Sequence, residues 1–381
     1  MMKRLRAFGL NRKGTWRLSM ICWVALLVVP TCPVVTWAQT TAPATIQLSL
    51  NENPYGPSPK AVMAMEEVLP RLGRYVPSDA VERLTQDLAR REGVSPEQIL
   101  LGDLLAPLGY QLGLRGGTGS EFVYSVPGYA VLVNAALPAG GVVVEIPLNA
   151  KLENDLPAML GAITSRTQAI FAINPHNPSG TVSDAAEFHR FLTEASRRTL
   201  VIVDEAYLDY LDDFAERTAV AHTRAGENVL VFRTFDKFFA MAGASLGYAV
   251  APRPLADFLR TQGLGSRLGL SSVAVAGAAA SIHDRAYADS LRVRIRKELR
   301  LWNRFMDEHR IEHTASVGNF VFLKAGRPQQ EVAAALTRDG ISIGRNYPPL
   351  GDWTRITIGL PEENAAARES LLKLLSSMNR K

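Results

Sequence analysis

Short apolar runs alternate with amphipathic stretches along most of this chain. Residues 121–126, 142–146, 169–173, 200–203 and 229–233 are dominated by valine, isoleucine, leucine, phenylalanine and alanine. Each is bounded by glycine, proline or polar residues and reads as a strand. Residues 60–70, 79–92, 107–114 and 184–196 carry helical spacing, and a further helix runs from the Pro127-Gly128-Tyr129 turn to residue 137. Strands that are apolar throughout, rather than on every second position, belong in a sheet covered on both faces. The pattern therefore predicts an α/β fold with a mainly parallel sheet sandwiched by helices. Residues 47–50 read as a short strand, 51–59 as a proline-rich irregular arm and 99–102 as a strand end. Past about residue 275 the texture changes. A long helix rich in arginine and glutamate, 283–308, precedes strands at 319–323, 341–343 and 355–358, the pattern of a smaller α+β domain.

The first 38 residues stand apart. Lys3, Arg4, Arg6, Arg12, Lys13 and Arg17 precede an apolar run at 20–29, Pro30 breaks it, and Thr36-Trp37-Ala38 ends in a small residue. This is the layout of a cleavable export signal, with cleavage expected before Gln39, and the apolar run is short for a membrane span. A retained anchor is the other reading. The segment also carries the charge excess. The chain has 42 Lys+Arg against 37 Asp+Glu, and the six basic residues of the leader reduce this to 36 against 37. The basic balance thus gives no support for a nucleic-acid partner. Both cysteines, Cys22 and Cys32, lie in the leader, so the mature chain has neither a disulfide nor a thiolate metal site, and no metal is expected. About 340 of the 381 residues remain, enough for two domains. The expected division is 1–38 signal, 39–75 N-terminal arm, 76–270 large domain and 271–381 small domain.

Candidate chemistry gathers where the predicted strands end, which is where ligands sit in such sheets. Lys237 is a lone lysine in the apolar run Val231-Phe232-Arg233-Thr234-Phe235-Asp236-Lys237-Phe238-Phe239. Its stem can pack while the amine reaches water, or the amine can be desolvated and form a Schiff base with a carbonyl cofactor. Asp204 ends a strand of leucine, valine and isoleucine; it is a helix cap or the partner of a pyridine nitrogen. Tyr207 packs or donates to a ring oxygen. Asn177, between Pro175 and Pro178, makes an Asx-turn or offers its amide to the same oxygen. Tyr129 packs or stacks on a ring. Arg355 lies at the surface or clamps a carboxylate.

The order and spacing of these residues identify the chain as resembling the fold-type I pyridoxal-phosphate aminotransferases, on the histidinol-phosphate branch, over about residues 46–375. The resemblance rests on Asn51-Glu52-Asn53-Pro54-Tyr55-Gly56-Pro57, Asn174-Pro175-His176-Asn177-Pro178-Ser179-Gly180-Thr181, Asp204-Glu205-Ala206-Tyr207, Arg233-Thr234-Phe235 ahead of Lys237, and Arg355-Ile356-Thr357-Ile358-Gly359. It implies a seven-stranded-type large domain, pyridoxal 5'-phosphate as cofactor and a homodimer. It also implies Lys237 as the catalytic Schiff-base lysine, with Asn177, Asp204, Tyr207 and Tyr129 around the ring. Tyr55 would reach the partner's site, Arg355 would bind the substrate carboxylate, and Arg345 would read a second substrate group. The implied substrates are an amino acid, or an amino-acid-like amine, and a 2-oxo acid.

Three departures fall where that branch anchors the cofactor phosphate. Leu104 and Leu105 stand where it has glycine and serine, Asp236 where it has serine, and Ser245 where it has arginine. The ring-facing residues remain and the phosphate-facing ones do not. An exported aminotransferase and a catalytically degenerate descendant that binds an amino-acid-like or vitamer ligand are the two functions consistent with this pattern.

Overall fold

The apolar runs pair into one twisted sheet. In the computed structural model, which describes residues 45–378, the strands in chain order are β1 (Ile46–Leu48), β2 (Ile99–Leu101), β3 (Glu121–Val126), β4 (Val142–Pro147), β5 (Thr167–Ile173), β6 (Leu200–Asp204), β7 (Val229–Thr234) and β8 (Gly247–Val250), then β9 (Glu312–His313), β10 (Phe320–Lys324), β11 (Ile341–Ile343) and β12 (Trp353–Thr357). Seven of them form a sheet in the order β2-β8-β7-β6-β5-β3-β4. Strands β4, β3, β5, β6 and β7 are mutually parallel, and β8 runs antiparallel to both β7 and β2. The sheet is thus mainly parallel, as the continuous apolar runs require.

Both faces are covered. On one, Phe122, Phe171 and Ile202 pack under Leu108 and Leu132. On the other, Ile170, Val201 and Val231 pack against Phe188 and Leu192. Helices Leu105–Gly116 and Val131–Ala136 approach so closely that a Cβ at Gly109 would lie 2.0 Å from the Leu132 carbonyl oxygen. Only a residue without a side chain fits there.

The C-terminal third builds two small sheets. Strand β10 lies between β12 and β9, antiparallel to each. Strand β11 pairs in parallel with β1, Ile46 opposite Ile341, so the N-terminal strand is completed by the last quarter of the chain. Helix Arg285–Glu308 backs this region through Leu291, Ile295 and Trp302, and the Trp302 Nε1–H donates to Asn364 Oδ1 at 3.2 Å. Among the described residues, no helix is long and apolar enough to cross a membrane. The expected export signal, 1–38, lies outside the described residues.

Candidate active site

Parallel pairing brings three strand ends together. Ile173 of β5 is opposite Asp204 of β6, and Asp204 is opposite Phe232 of β7. The segments that follow therefore emerge side by side. They carry Asn177, then Asp204 to Tyr207, then Lys237.

Asp204 is 3 % exposed, and its carboxylate receives one hydrogen bond, from the Ala206 N–H to Oδ1 at 3.0 Å. Removal from water disfavours the carboxylate and raises its pKa to about 7, against smaller lowering effects of that amide and of Lys237. Oδ2 has no hydrogen-bond partner among the described residues. The turn is an Asx-turn rather than a helix start, and Tyr207 sits at its end with φ −112°.

Lys237 is half-buried. Its Nζ donates one hydrogen bond, to the Leu50 carbonyl at 3.2 Å. Burial lowers its pKa, and Arg355 acts in the same direction; Asp236, Glu52 and Asp204 oppose it. The net direction is downward, towards a more readily deprotonated amine.

Tyr207 is buried, and its hydroxyl accepts from Asn51 Nδ2 at 3.0 Å and from Asn177 Nδ2 at 3.4 Å. Burial pushes the hydroxyl's pKa up, so it stays a neutral donor. Arg355 donates from one terminal nitrogen to Asn177 Oδ1 at 2.7 Å and from the other to the Ser49 carbonyl at 2.6 Å. Its Nε is buried without a partner. Arg345 lies over the Tyr347 ring, 4.8 Å from its centroid, and Tyr347 also lies beside Arg355. Arg345 acts electrostatically on the buried hydroxyl of Tyr124, which has no partner. Tyr129 is 45 % exposed; burial of its hydroxyl raises its pKa, and the negative charges of Asp204, Asp103 and Asp236 act in the same direction.

Tyr55 does not join this cluster within one chain. Its ring lies 5.3 Å below the Arg294 guanidinium, with Glu298, Glu362 and Glu363 nearby. Only part of the proline-rich arm is free of its own chain. Asn51 and Asn53 are buried, Asn53 Nδ2 donates to the Phe238 carbonyl at 3.0 Å, and Asn319 Nδ2 holds the carbonyls of Asn51 and Glu52 at 3.0 Å each.

Two supports were not singled out in the sequence. Asn51, at φ +55°, orients Tyr207 and receives the Thr357 hydroxyl at 3.2 Å. An asparagine tolerates the left-handed region better than most residues, the one local signal that marks it. The second is Arg233, fully buried on β7. It donates to Glu205 at 2.8 Å and to Glu92 at 2.8 Å, and thereby ties the ends of β6 and β7 together. A buried guanidinium needs such partners. The Asn177 loop is clamped separately. A Cβ at Gly180 would lie 2.0 Å from Ser316 Oγ, and the Val317 N–H donates to the Gly180 carbonyl at 2.9 Å.

The ring of pyridoxal phosphate fits these residues. A buried carboxyl with an unused oxygen suits a protonated ring nitrogen, the Lys237 amine suits an aldehyde, and a hydroxyl and an amide suit the ring oxygen. At the phosphate end the side chains that the resemblance would place as anchors are replaced. Asp236, beside Lys237, accepts from Ser245 Oγ at 2.9 Å and from the Leu246 N–H at 3.3 Å, while Leu104 and Leu105 are buried in the core. Among the described residues no group of three or more His, Cys, Asp or Glu is arranged to hold a metal ion.

The sequence pattern of the family described as aminotransferase class I and II matches residues 43–371. The chain is 34% identical over 343 residues to histidinol-phosphate aminotransferase 1 of Cupriavidus pinatubonensis, covering 87% of this chain and 88% of that one. It is 32% identical to an aromatic amino acid aminotransferase of Streptomyces avermitilis, covering 88% and 92%. Its fold matches the crystal structure of histidinol-phosphate aminotransferase from Sinorhizobium meliloti in complex with pyridoxal-5'-phosphate. There the TM-score is 0.78 at 24% identity, covering 88% of this chain and 92% of that one.

Proposed function

The chain belongs to the class I and II aminotransferases, pyridoxal-phosphate-dependent transaminases, on their histidinol-phosphate branch; from that premise we propose that it transfers an amino group between an amino acid or amino-acid-like amine and a 2-oxo acid, with Lys237 as the catalytic residue. The observation that carries this reading is the convergence of Asn177, Asp204 and Lys237 at the ends of three adjacent parallel strands. When bound, the cofactor supplies an electron sink for the substrate's α-carbon. Asp204 holds the proton at the ring nitrogen. Tyr207 and Asn177 hold the ring oxygen, and Tyr129 covers the ring. The Lys237 amine, its pKa lowered by burial, takes the α-proton and returns it. Arg355 offers its unpartnered Nε to the substrate carboxylate, oriented by Asn177, and Arg345 reads a second group of the substrate from beside Tyr347.

The named relatives act on histidinol phosphate and on aromatic amino acids, so ring-bearing amines are the first donors to test. Purified protein is incubated with histidinol phosphate, histidine or an aromatic amino acid and a 2-oxo acid, and the new amino acid is measured. Turnover with at least one pair is expected. The second reading, a binder without turnover, draws on one observation, the carboxylate of Asp236 beside Lys237. Protein that holds cofactor on Lys237 yet turns over none of these pairs would establish it.

The assembly follows from the same premise. Tyr55, outside its own chain's cluster, would reach a partner's site in a homodimer. Exposed Met63, Leu72, Tyr75 and Leu268 provide apolar surface for such an interface. Light scattering is expected to report a dimer. A monomer with undiminished cofactor affinity would rule out this role for Tyr55.

Export is read from residues 1–38 alone. Protein from a periplasmic fraction is expected to begin near Gln39 by mass spectrometry. Recovery of the full-length chain only, and only from the cytosol, would refute it.

A further inference from the structure

We infer that the end of this site beside β8 and β2 does not select for a phosphate, so that unphosphorylated pyridoxal binds about as tightly as pyridoxal phosphate. The inference rests on the functional reading above and concerns one arm of its cofactor.

The direction of that arm follows from ring chemistry and strand order. In pyridoxal the ring nitrogen lies opposite the carbon that bears the aldehyde. The ring oxygen and the five-position arm flank the aldehyde on either side. Asp204 takes the nitrogen and Lys237 the aldehyde. Asn177, following β5, and Tyr207 take the oxygen. The arm must then leave on the side away from β5. The sheet continues there through β7 to β8 and β2. Register puts the loops at that end together: Thr234 is opposite Gly247, and the Gly102 N–H donates to the Gly247 carbonyl at 2.9 Å.

What the arm meets there is acidic. The loops 102–107 and 235–246 carry Lys237 as their one cationic residue, and it is committed to the aldehyde. The Asp236 carboxylate is fixed by Ser245 Oγ at 2.9 Å and by the Leu246 N–H at 3.3 Å, so the hydroxyl that would otherwise meet an anion already serves another one. The Asp236 N–H is bonded to Thr234 Oγ1 at 3.0 Å. Asp103, on the other loop, adds to the negative field that Asp236 and Asp204 exert on the Tyr129 hydroxyl. Helix Leu105–Gly116 begins here without a side-chain cap, so its first backbone N–H groups are the uncharged donors at this end, and its third residue, Pro107, adds none.

A phosphate monoester brings between one and two negative charges near neutral pH. It finds a fixed carboxylate and no guanidinium. The hydroxymethyl arm of pyridoxal is neutral, and its O–H can donate to Asp236. A charge-assisted bond to phosphate is worth roughly tenfold to a hundredfold in affinity. That margin is what this site lacks.

The test uses the purified chain freed of bound vitamer, titrated separately with pyridoxal and with pyridoxal phosphate by absorbance. Borohydride reduction and peptide mapping establish that each is held on Lys237. The expected dissociation constants for wild type lie within tenfold of each other. Asp236→Asn keeps the shape of the side chain and removes its charge. It is expected to tighten pyridoxal phosphate by tenfold or more without tightening pyridoxal, and Ser245→Arg is expected to do the same. If wild type binds pyridoxal phosphate more than tenfold tighter than pyridoxal, the inference is overturned and the functional reading stands. Should either variant fail to fold, the wild-type ratio decides alone. If neither compound is reduced onto Lys237, the inference falls together with the reading beneath it.

Discussion

Lys237→Ala is expected to abolish transamination while leaving the fold intact. A positioned acid–base group contributes roughly 10²–10⁴-fold to rate. In its proposed role Lys237 both holds the cofactor and moves the α-proton, so the loss should be about 10⁴-fold or more. Stability should hardly change. The amine makes a single hydrogen bond, to the Leu50 carbonyl, and its burial lowers its pKa, so removing it relieves a desolvated group as well as breaking a contact. The net change should stay within about 1 kcal/mol. Two measurements check this: amino-group transfer by wild type and variant, and their melting curves. Borohydride labelling adds a third, since the peptide containing position 237 should carry the cofactor in wild type alone. Transfer within tenfold of wild type would remove Lys237 from its assigned role.

Asp204→Asn is expected to act in opposite directions on stability and on catalysis. In the folded chain without cofactor, burial raises the Asp204 pKa from 3.8 to about 7. The folded state therefore holds a proton that the unfolded state releases near pH 4. Stability falls as the pH rises from about 4 to about 7, and the full penalty remains above that range. A shift of about three units corresponds to about 4 kcal/mol. The amide has no such penalty. The variant should match wild type near pH 4 and exceed it by up to about 4 kcal/mol at pH 8. Buried His176, whose pKa is lowered to about 3, has the opposite slope, but it is common to both proteins and cancels in the difference. Catalysis should suffer, because an amide has no charge to hold a proton on the ring nitrogen. Losing one charge-assisted bond, about 1.5–3 kcal/mol, makes the activity roughly tenfold to a hundredfold lower. Chemical denaturation of the cofactor-free proteins at pH 4 and pH 8, with transfer rates at pH 8, decides both halves. A variant less stable than wild type at pH 8 would show that Asp204 has a buried partner of its own.

The sheet was legible because its strands are continuous apolar runs, and the placement of Asn177, Asp204 and Lys237 at the strand ends followed from that. Strand β8 was not legible. Gly247-Tyr248-Ala249-Val250 is short and lacks a distinctive period, and it pairs against the prevailing direction. Helix Ser272–Ser281 was missed for a related reason, since it is apolar or small on every side and shows no stripe. The site's supports depend on distant partners. Asn51 meets Thr357 and Arg355 meets Ser49, each pair 306 positions apart, and no local pattern links them. Arg233 stood in plain view within an apolar run, but its role depends on Glu92 and Glu205, which are brought to it from other elements. Tyr207 follows Asp204 by three positions, and the Asx-turn at Asp204 sets the path between them, which no periodicity in the sequence marks.

The pairing of β1 with β11 has a consequence for the order in which this protein can be made. The ribosome releases residues 46–53 early, yet their partners are Ile341 to Ile343, Asn319 and Thr357. The carbonyl that receives Lys237 Nζ, that of Leu50, lies in the same early segment. Loop closure over such a separation precedes any reward from the contacts it brings. The large sheet can form while synthesis continues, but the segment that floors the site waits until synthesis is nearly complete. The floor of the site is thus completed late, after translation has passed residue 357, and a chain that stops before Thr357 lacks it.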